Sequence, residues 1–399
     1  MRSSRFLIFS VLLLFCSTPL FSQIILDETY LFYTPSQART IKNLTAAEDE
    51  YSLSVLNHLS ALADSVMTPG PWSVTFHKTG YDKHDYYSQS PYWWPDPADA
   101  SAPYIRKDGQ VNPAYFDQHH DDLHDMSEAV FVLGTAAYIF ADSIYANRAA
   151  YILDTWFVDE ETRMNPHLEH AQAIPNRSGG RHFGIIDTNP LILAVQGIVF
   201  LQKSGLWPYS RQEGVLAWFS DFQLWLSRSD KGKAEQRYGN NHSTWYTAQL
   251  AAYSILINDI EYQDRAWSWF RTFLLPKQLD ADGSMPLEEE RTKSLSYSLM
   301  NMDGLALIAR MAQVQGHDLW RFKSGNKSLK TAVDALIPYI KSPQSWPLLQ
   351  IKPVEPAQRP FLVWAAAGLD NRSYLDLYRA LPARDSYYCL LSDLLAAVW

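Results

Sequence analysis

Cysteine is nearly absent from this chain. Its 399 residues hold two, Cys16 and Cys389. With the first expected to leave in a processed leader, no internal disulfide can form and no cysteine zinc site has its ligands. Stability must then come from a large apolar core, which 47% hydrophobic content can supply. Charge is also sparse, at 19% of residues with a net −9. An acidic balance of that kind speaks against nucleic acid as a partner. Past residue 22 no run reads as long and apolar enough to span a bilayer, and no stretch has the composition of a disordered linker. Alternating strand patterns are few.

What is present begins with Arg2 and Arg5 ahead of the apolar run 6–15, followed by Ser22 before Gln23. A basic start, a short apolar centre and a small exit residue predict a cleaved secretory signal over 1–22. The expected mature chain, 23–399, is then periplasmic or secreted, a single domain and a monomer. Cys16 follows the apolar run, but bulky Phe15 before it argues against lipoprotein processing, so no lipid anchor is expected.

Apolar residues recur at helical spacing over 45–67, 121–142, 144–157, 185–204, 210–229, 243–259, 262–279, 294–316, 326–340 and 355–369. Thr45, Ser210 and Ser243 are expected N-caps, and Gly205 and Gly316 expected stops. Successive helical hairpins of this kind predict an all-α fold, an (α/α) toroid forming an incomplete barrel around a central cleft. A helical solenoid is the competing arrangement, although no repeat period is visible. Residues 68–118 break the pattern, being rich in Pro, Gly, Tyr, Trp and Asp. A loop of that length inside a compact domain is usually functional.

Three segments carry candidate chemistry. Asn240-Asn241-His242 opens a predicted helix, where side-chain amides and an imidazole join free backbone N–H groups. That suits a carboxylate that must be held and neutralised, and a plain turn with a capping His is the alternative. Glu288-Glu289-Glu290-Arg291 leads into the helix that carries Tyr297. Arg291 can grip a carboxylate with two parallel bonds, while solvated charges at a helix start are the plainer account. Lys83-His84-Asp85-Tyr86, followed by Pro91-Tyr92-Trp93-Trp94-Pro95, sets adjacent tryptophans between prolines, which suits a rigid platform for sugar rings. Residues 165–177, with Gln172, form a candidate wall of the same cleft. Segments 78–84, 176–182 and 231–242 hold seven Lys/Arg (Lys78, Lys83, Arg177, Arg181, Lys231, Lys233, Arg237) against two acids, so a locally basic cleft is expected in an acidic protein. His119, His120, Asp121, Asp122 and His124 suggest a metal, but a polar helix start explains them as well. No metal or cofactor is expected.

Taken together these segments resemble the alginate-lyase superfamily of helical polysaccharide lyases. The resemblance covers roughly residues 70–310. It rests on Asp82 to Tyr86, Pro91 to Pro97, Pro103-Tyr104-Ile105 with Asp108-Gly109 and Asn112-Pro113, Met164-Asn165-Pro166, Ala171 to Pro175, Gly184 to Thr188, Asn240 to Ser243, and Arg291 through Tyr297. It looks closer to the glucuronan- and mannuronan-cleaving branch, because Arg291 precedes Tyr297 by six positions. The resemblance implies a lyase that cleaves a β-1,4-linked uronate polymer by β-elimination. Asn241, with Arg291 or His242, would neutralise the carboxylate at C5. Tyr297 would protonate the departing O4. Where the C5 proton and O4 are syn, as in β-linked mannuronate and glucuronate, Tyr297 would also remove that proton. In guluronate they are anti, and His242 would be the base. Arg291 is expected to lower the pKa of Tyr297. Lys83, His84, Tyr86, Tyr92, Trp93, Trp94, Gln172, Asn240 and Trp245 are the expected substrate contacts. Two rivals remain: a hydrolase on an (α/α) barrel, with a carboxylate pair drawn from Asp85, Asp187 and Glu288–Glu290, and a helical glycan-binding protein.

Overall fold

The computed structural model describes residues 29–99 and 101–399, so the expected signal segment 1–22 lies outside the described residues. α1 (Pro35–Lys42) and α2 (Glu50–Ser65) precede the long irregular stretch, which ends at α3 (Gln118–Phe140) and α4 (Ser143–Leu153). Then come α5 (Leu191–Ser204), α6 (Glu213–Arg228), α7 (Asp230–Gln236), α8 (Asn241–Leu256) and α9 (Ile260–Trp269). The chain continues through α10 (Leu275–Gln278), α11 (Pro286–Glu289), α12 (Ser294–Val314) and α13 (Leu329–Lys341). α14 (Pro360–Leu369), α15 (Arg372–Ala380) and α16 (Tyr387–Ala396) complete it.

Five of these pack side by side in chain order, α3 on α5, α5 on α8, α8 on α12 and α12 on α14, and α16 returns against α5 and α2. A second set leans on them from outside: α2 and α4 on α3, α6 and α9 on α8, α13 on α12, and α15 on α14. Inner and outer helices therefore alternate, as an (α/α) toroid requires. The two sets differ in sequence for a physical reason. Helix α8 is buried along nearly its whole length, and α5 from Leu191 to Leu201. A helix enclosed by helices must be apolar or small all round. In α15 only Tyr374, Leu375 and Tyr378 are buried, and the other faces meet solvent. The α3–α5 crossing depends on glycine. A Cβ on Gly134 would lie 2.2 Å from the Gly197 carbonyl oxygen, and one on Gly197 would lie 2.3 Å from that of Val130.

The stretch His182–Ser204 is, contrary to expectation, long and apolar enough to cross a membrane, but 89% of its apolar window is buried inside the protein. Its hydropathy is that of an inner helix. The expected helices appear with shifted ends, and Gly205 and Gly316 do stop theirs at φ 74° and 87°. The expected caps do not hold. Thr45 and Ser210 sit in 3-10 turns, and Asn240 rather than Ser243 caps α8, its Oδ1 accepting from the His242 N–H at 3.1 Å. Ser243 has other partners, accepting from the Gly239 N–H at 2.6 Å and donating to the Glu235 carbonyl at 3.0 Å.

Residues 68–117 form a long, mostly irregular excursion. It contains β1 (Tyr87–Gln89), β2 (Trp93–Trp94) and β3 (Ile105–Arg106), the last two antiparallel, and β1 lies parallel to β4 (His170–Ala173). Asn112 ties the loop to itself, its N–H donating to the Pro91 carbonyl at 2.8 Å and its amide to the Trp93 carbonyl at 3.0 Å.

Candidate active site

A cleft of about 420 Å³ is lined by the loop residues 88–93, by β4, by the turn 181–189, and by the starts of α8 and α12. One wall is built of amides and imidazole. Asn241 is the first residue of α8. Its backbone N–H and its side-chain amide donate to the two oxygens of Glu288, each at 2.6 Å. Glu288 is 1% exposed. Burial raises its carboxyl despite those two bonds. The second amide hydrogen of Asn241 remains for a ligand. His242 follows, its Nδ1 2.6 Å from Glu235, whose other oxygen lies 2.7 Å from Nδ1 of His182. Burial alone would raise the Glu235 carboxyl, but the two imidazoles outweigh it and hold it below its usual value. An ionised carboxylate can only accept, so Nδ1 of His242 carries the hydrogen and Nε2 is left available.

The facing wall is built of phenol and cations. The Tyr297 hydroxyl lies 2.9 Å from that of Tyr92, and the Lys293 ammonium donates to the Tyr92 oxygen at 3.3 Å. Arg291 sits over the Tyr297 ring at 4.3 Å, while its own fork is filled by Asp108 at 2.9 and 3.3 Å. Burial and Tyr92 raise the Tyr297 phenol, and Arg291 pulls it down by less. The expected lowering is thus present as a force but loses to desolvation.

The floor carries Asp187, which accepts from Ser88 at 2.6 Å and from the Gln172 amide at 2.8 Å. Gln172 has φ 46°, in the left-handed region that a long side chain seldom visits. Its N–H is held by Ser88 at 2.8 Å and its carbonyl by Arg181 at 3.1 Å. Arg106, Arg181 and Arg291 line the cleft, and among the described residues Asp187 is its sole carboxylate. Burial, with Arg106 nearby, pushes Arg181 down to about 10. The cleft is therefore basic within an acidic chain.

Every residue of that cleft falls within 74–346, the stretch that matches the sequence model of the family described as alginate lyase. The chain belongs to the alginate lyase family. An alginate lyase structure from Bacteroides ovatus superposes with a TM-score of 0.84 at 30% identity, covering 92% of this chain and 98% of that one. Alginate lyase A1-III from Sphingomonas species A1 superposes at a TM-score of 0.51 with 18% identity, over 85% and 88% of the two chains, which speaks to the fold alone. An alginate lyase of Pseudomonas syringae pv. tomato is 31% identical over 133 residues, 33% of this chain and 34% of that protein. One of Cobetia marina is 31% identical over 139 residues, 34% and 36% of the two. The chain thus aligns with about a third of the length of these two relatives.

In this alginate lyase family member Asn240, Asn241, His242, Arg291, Tyr297, Tyr92, Trp93 and Gln172 all line the cleft. The other expected contacts lie elsewhere. Tyr86 is fully buried and turns its hydroxyl to Asp187 at 3.3 Å, leaving no surface for a ligand. Lys83 is exposed and pairs with Glu161 at 3.2 Å, and His84 is bound to the Arg163 carbonyl at 2.6 Å. Trp94 turns away to the Gln110 carbonyl under Lys107. Trp245 is buried and borders a different cavity. Of the seven cations expected to make the cleft basic, Arg181 alone lines it.

Glu235, Glu288, Lys293 and Asp108 also support the site, and of these only Glu288 is among the expected candidates, there as a hydrolase carboxylate. Glu235 stands seven residues before His242, and nothing in that spacing marks it as buried. Glu288 lies in a run of three acids, which reads as solvated until the middle of α11 is seen packed behind Asn241. Asp108 stands in an Asp-Gly pair whose local sequence does not point to Arg291, its partner 183 residues away.

Proposed function

We propose that this protein is a polysaccharide lyase that cleaves a β-1,4-linked uronate polymer, alginate or a relative of it, by β-elimination. One observation carries the reading: a tyrosine hydroxyl and an Asn–His pair line the same cleft, in which Asp187 is the only carboxylate among the described lining residues. A glycosidase needs two carboxyl groups across the scissile bond, and Glu235 and Glu288 are sealed behind His242 and Asn241. A plain glycan-binding surface has no use for buried acids that orient an amide and an imidazole.

In the reaction the bound uronate places its carboxylate at Asn241 and His242. Charge that spreads onto this carboxylate as the C5 proton leaves is met by donors already fixed in place, each worth about 3–4 kcal/mol in such sites. The C5–H and C4–O bonds break, a C4=C5 double bond forms, and the proton ends on the departing hydroxyl. Tyr297 delivers it. The resting phenol is protonated, which suits this acid role directly. To act as base on a syn substrate it must first release that proton, and Arg291 over the ring favours the phenolate against the opposing effects of burial and Tyr92. On an anti substrate, His242 Nε2 is the base.

The test is ultraviolet absorbance of the unsaturated product from purified mannuronan, glucuronan and guluronan. Product is expected from mannuronan or glucuronan, and loss of it in both Tyr297→Phe and His242→Ala. Full activity in both variants would overturn the reading.

A further inference from the structure

A second cavity, of about 310 Å³, adjoins the cleft and shares Asn189 and Met300 with it. On helix α12, Tyr297 lines the cleft, Ser296 and Asp303 border the second cavity, and Met300 lines both. From Tyr297 to Asp303 the helix rises about 9 Å, a distance within reach of a short oligosaccharide. The opposite side is made by Val354, Arg359, Arg384, Ser386 and Tyr388. Those residues lie beyond 346, outside the stretch that matches the family.

Its charged lining residues are Asp303, Arg359 and Arg384. None of the three is in an ion pair within 4.0 Å among the described residues. The Arg359 Nε is buried with no hydrogen-bond partner, and Arg384 is exposed. Asp303 accepts the Phe361 N–H at 3.3 Å. Burial pushes its carboxyl up to about 6, against the pull of both arginines. The cavity therefore holds more positive than negative charge, with the buried Arg359 Nε donor unfilled. A buried guanidinium donor without a partner, as at Arg359, is costly unless a ligand fills it. The Trp245 and Tyr388 rings, 5.9 Å apart and inclined at 62°, border the same cavity beside the charges.

We infer that this cavity is a second carboxylate-binding subsite, in which Arg359 and Arg384 grip a uronate unit of the same polymer chain whose scissile bond lies at Tyr297. The inference rests on the lyase reading. A uronate polymer carries a carboxylate on every ring, so a chain seated in the cleft and passing Met300 brings one to the arginines. A guanidinium pairs such a group through two parallel bonds. The subsite makes binding depend on chain length, and its arginines lie beyond residue 346, outside the stretch that the family model matches.

The test uses mannuronan oligosaccharides of defined length, titrated by calorimetry into the full chain carrying Tyr297→Phe, with and without Arg384→Gln. In the parent, affinity rises with length. Adding R384Q is expected to cut the advantage of a long oligosaccharide over the shortest binder by about tenfold, and R384K restores part of it. In the otherwise unmodified chain, KM for long oligosaccharides rises with little change in kcat. The inference is overturned if R384Q weakens all lengths equally or if length dependence is unchanged. Failure of the lyase reading shows separately, as absence of unsaturated product from the unmodified chain.

Discussion

The two walls of the cleft are built by different means. The amide–imidazole wall is local. His242 is set by Glu235 seven residues away, and Asn241 by Glu288 47 residues away, both acids buried and bonded at 2.6 Å. The phenol wall is assembled across the chain. Tyr297 meets Tyr92 over 205 residues, and Arg291 meets Asp108 over 183. The first wall exists as soon as α7, α8 and α11 have packed. The second exists only when the 68–117 loop is docked on α12. Electrostatic stabilisation needs donors fixed before charge develops, and burying Glu235 and Glu288 achieves this. A proton-transfer group needs correct placement at the moment of reaction, and here the loop supplies it.

Breaking the phenol wall at its reacting atom gives the largest expected effect. Tyr297→Phe removes the proton that O4 needs, so kcat on mannuronan should fall by about 10²–10⁴, with KM nearly unchanged. A proportionate rise in KM instead would mean that Tyr297 only binds. On the other wall Asn241→Ala should cost about 10²–10³ in kcat. If Glu288 acts by aiming that amide, Glu288→Gln should cost nearly as much, because its new NH₂ would face the Asn241 donors. The double variant should then be little worse than either single one, the non-additivity of groups that act as a unit. Additive losses would separate the two residues. Glu235→Gln comes next. It removes the charge that holds two imidazoles, and a loss of about tenfold or more is expected, with a lowered Tm from breaking buried charge-assisted bonds. An unchanged rate would show that His242 needs no orienting partner.

Much of this arrangement could be seen in the sequence, and what could not has a physical pattern. Inner helices such as α8 and α12 show long apolar periodicity, and the Asn-Asn-His and Arg-to-Tyr spacings lead to the cleft. Helices α15 and α16, of nine and ten residues, have no counterpart among the expected helices, and helices this short are stabilised by tertiary packing more than by their own pattern. Tyr92 and Tyr86 look alike in sequence, both polar-tipped aromatics in the same loop. One joins Tyr297 at 2.9 Å, and the other is core, turned to Asp187 at 3.3 Å, a difference set by partners distant in the chain. Glu235 and Glu288 could not be ranked above Glu289 or Glu290, because burial of an acid is a property of the fold.

The smallest expected effect tests whether the loop is a latch on the second wall. Burial would raise the Asp108 carboxyl, but its bonds to Arg291 and Thr292 and the nearby Arg106 outweigh this and hold it at about 2. A carboxyl lowered in the folded state contributes stability above its ordinary value of 3.8, and that contribution is lost as pH falls through about 2. Across the range of about pH 5–9 it stays ionised, so the latch does not titrate there. Asp108→Asn replaces the ion pair by a neutral contact and should lower kcat/KM by about three- to tenfold. The loss should be the same at every pH in that window, so the shape of the rate profile is kept. Amide hydrogen exchange should quicken in 68–117 and at Arg291–Lys293, while the start of α8 stays as protected as before. A changed profile, or equal loosening of both walls, would show that the two are one cooperative unit and that docking of the loop does not control the phenol independently.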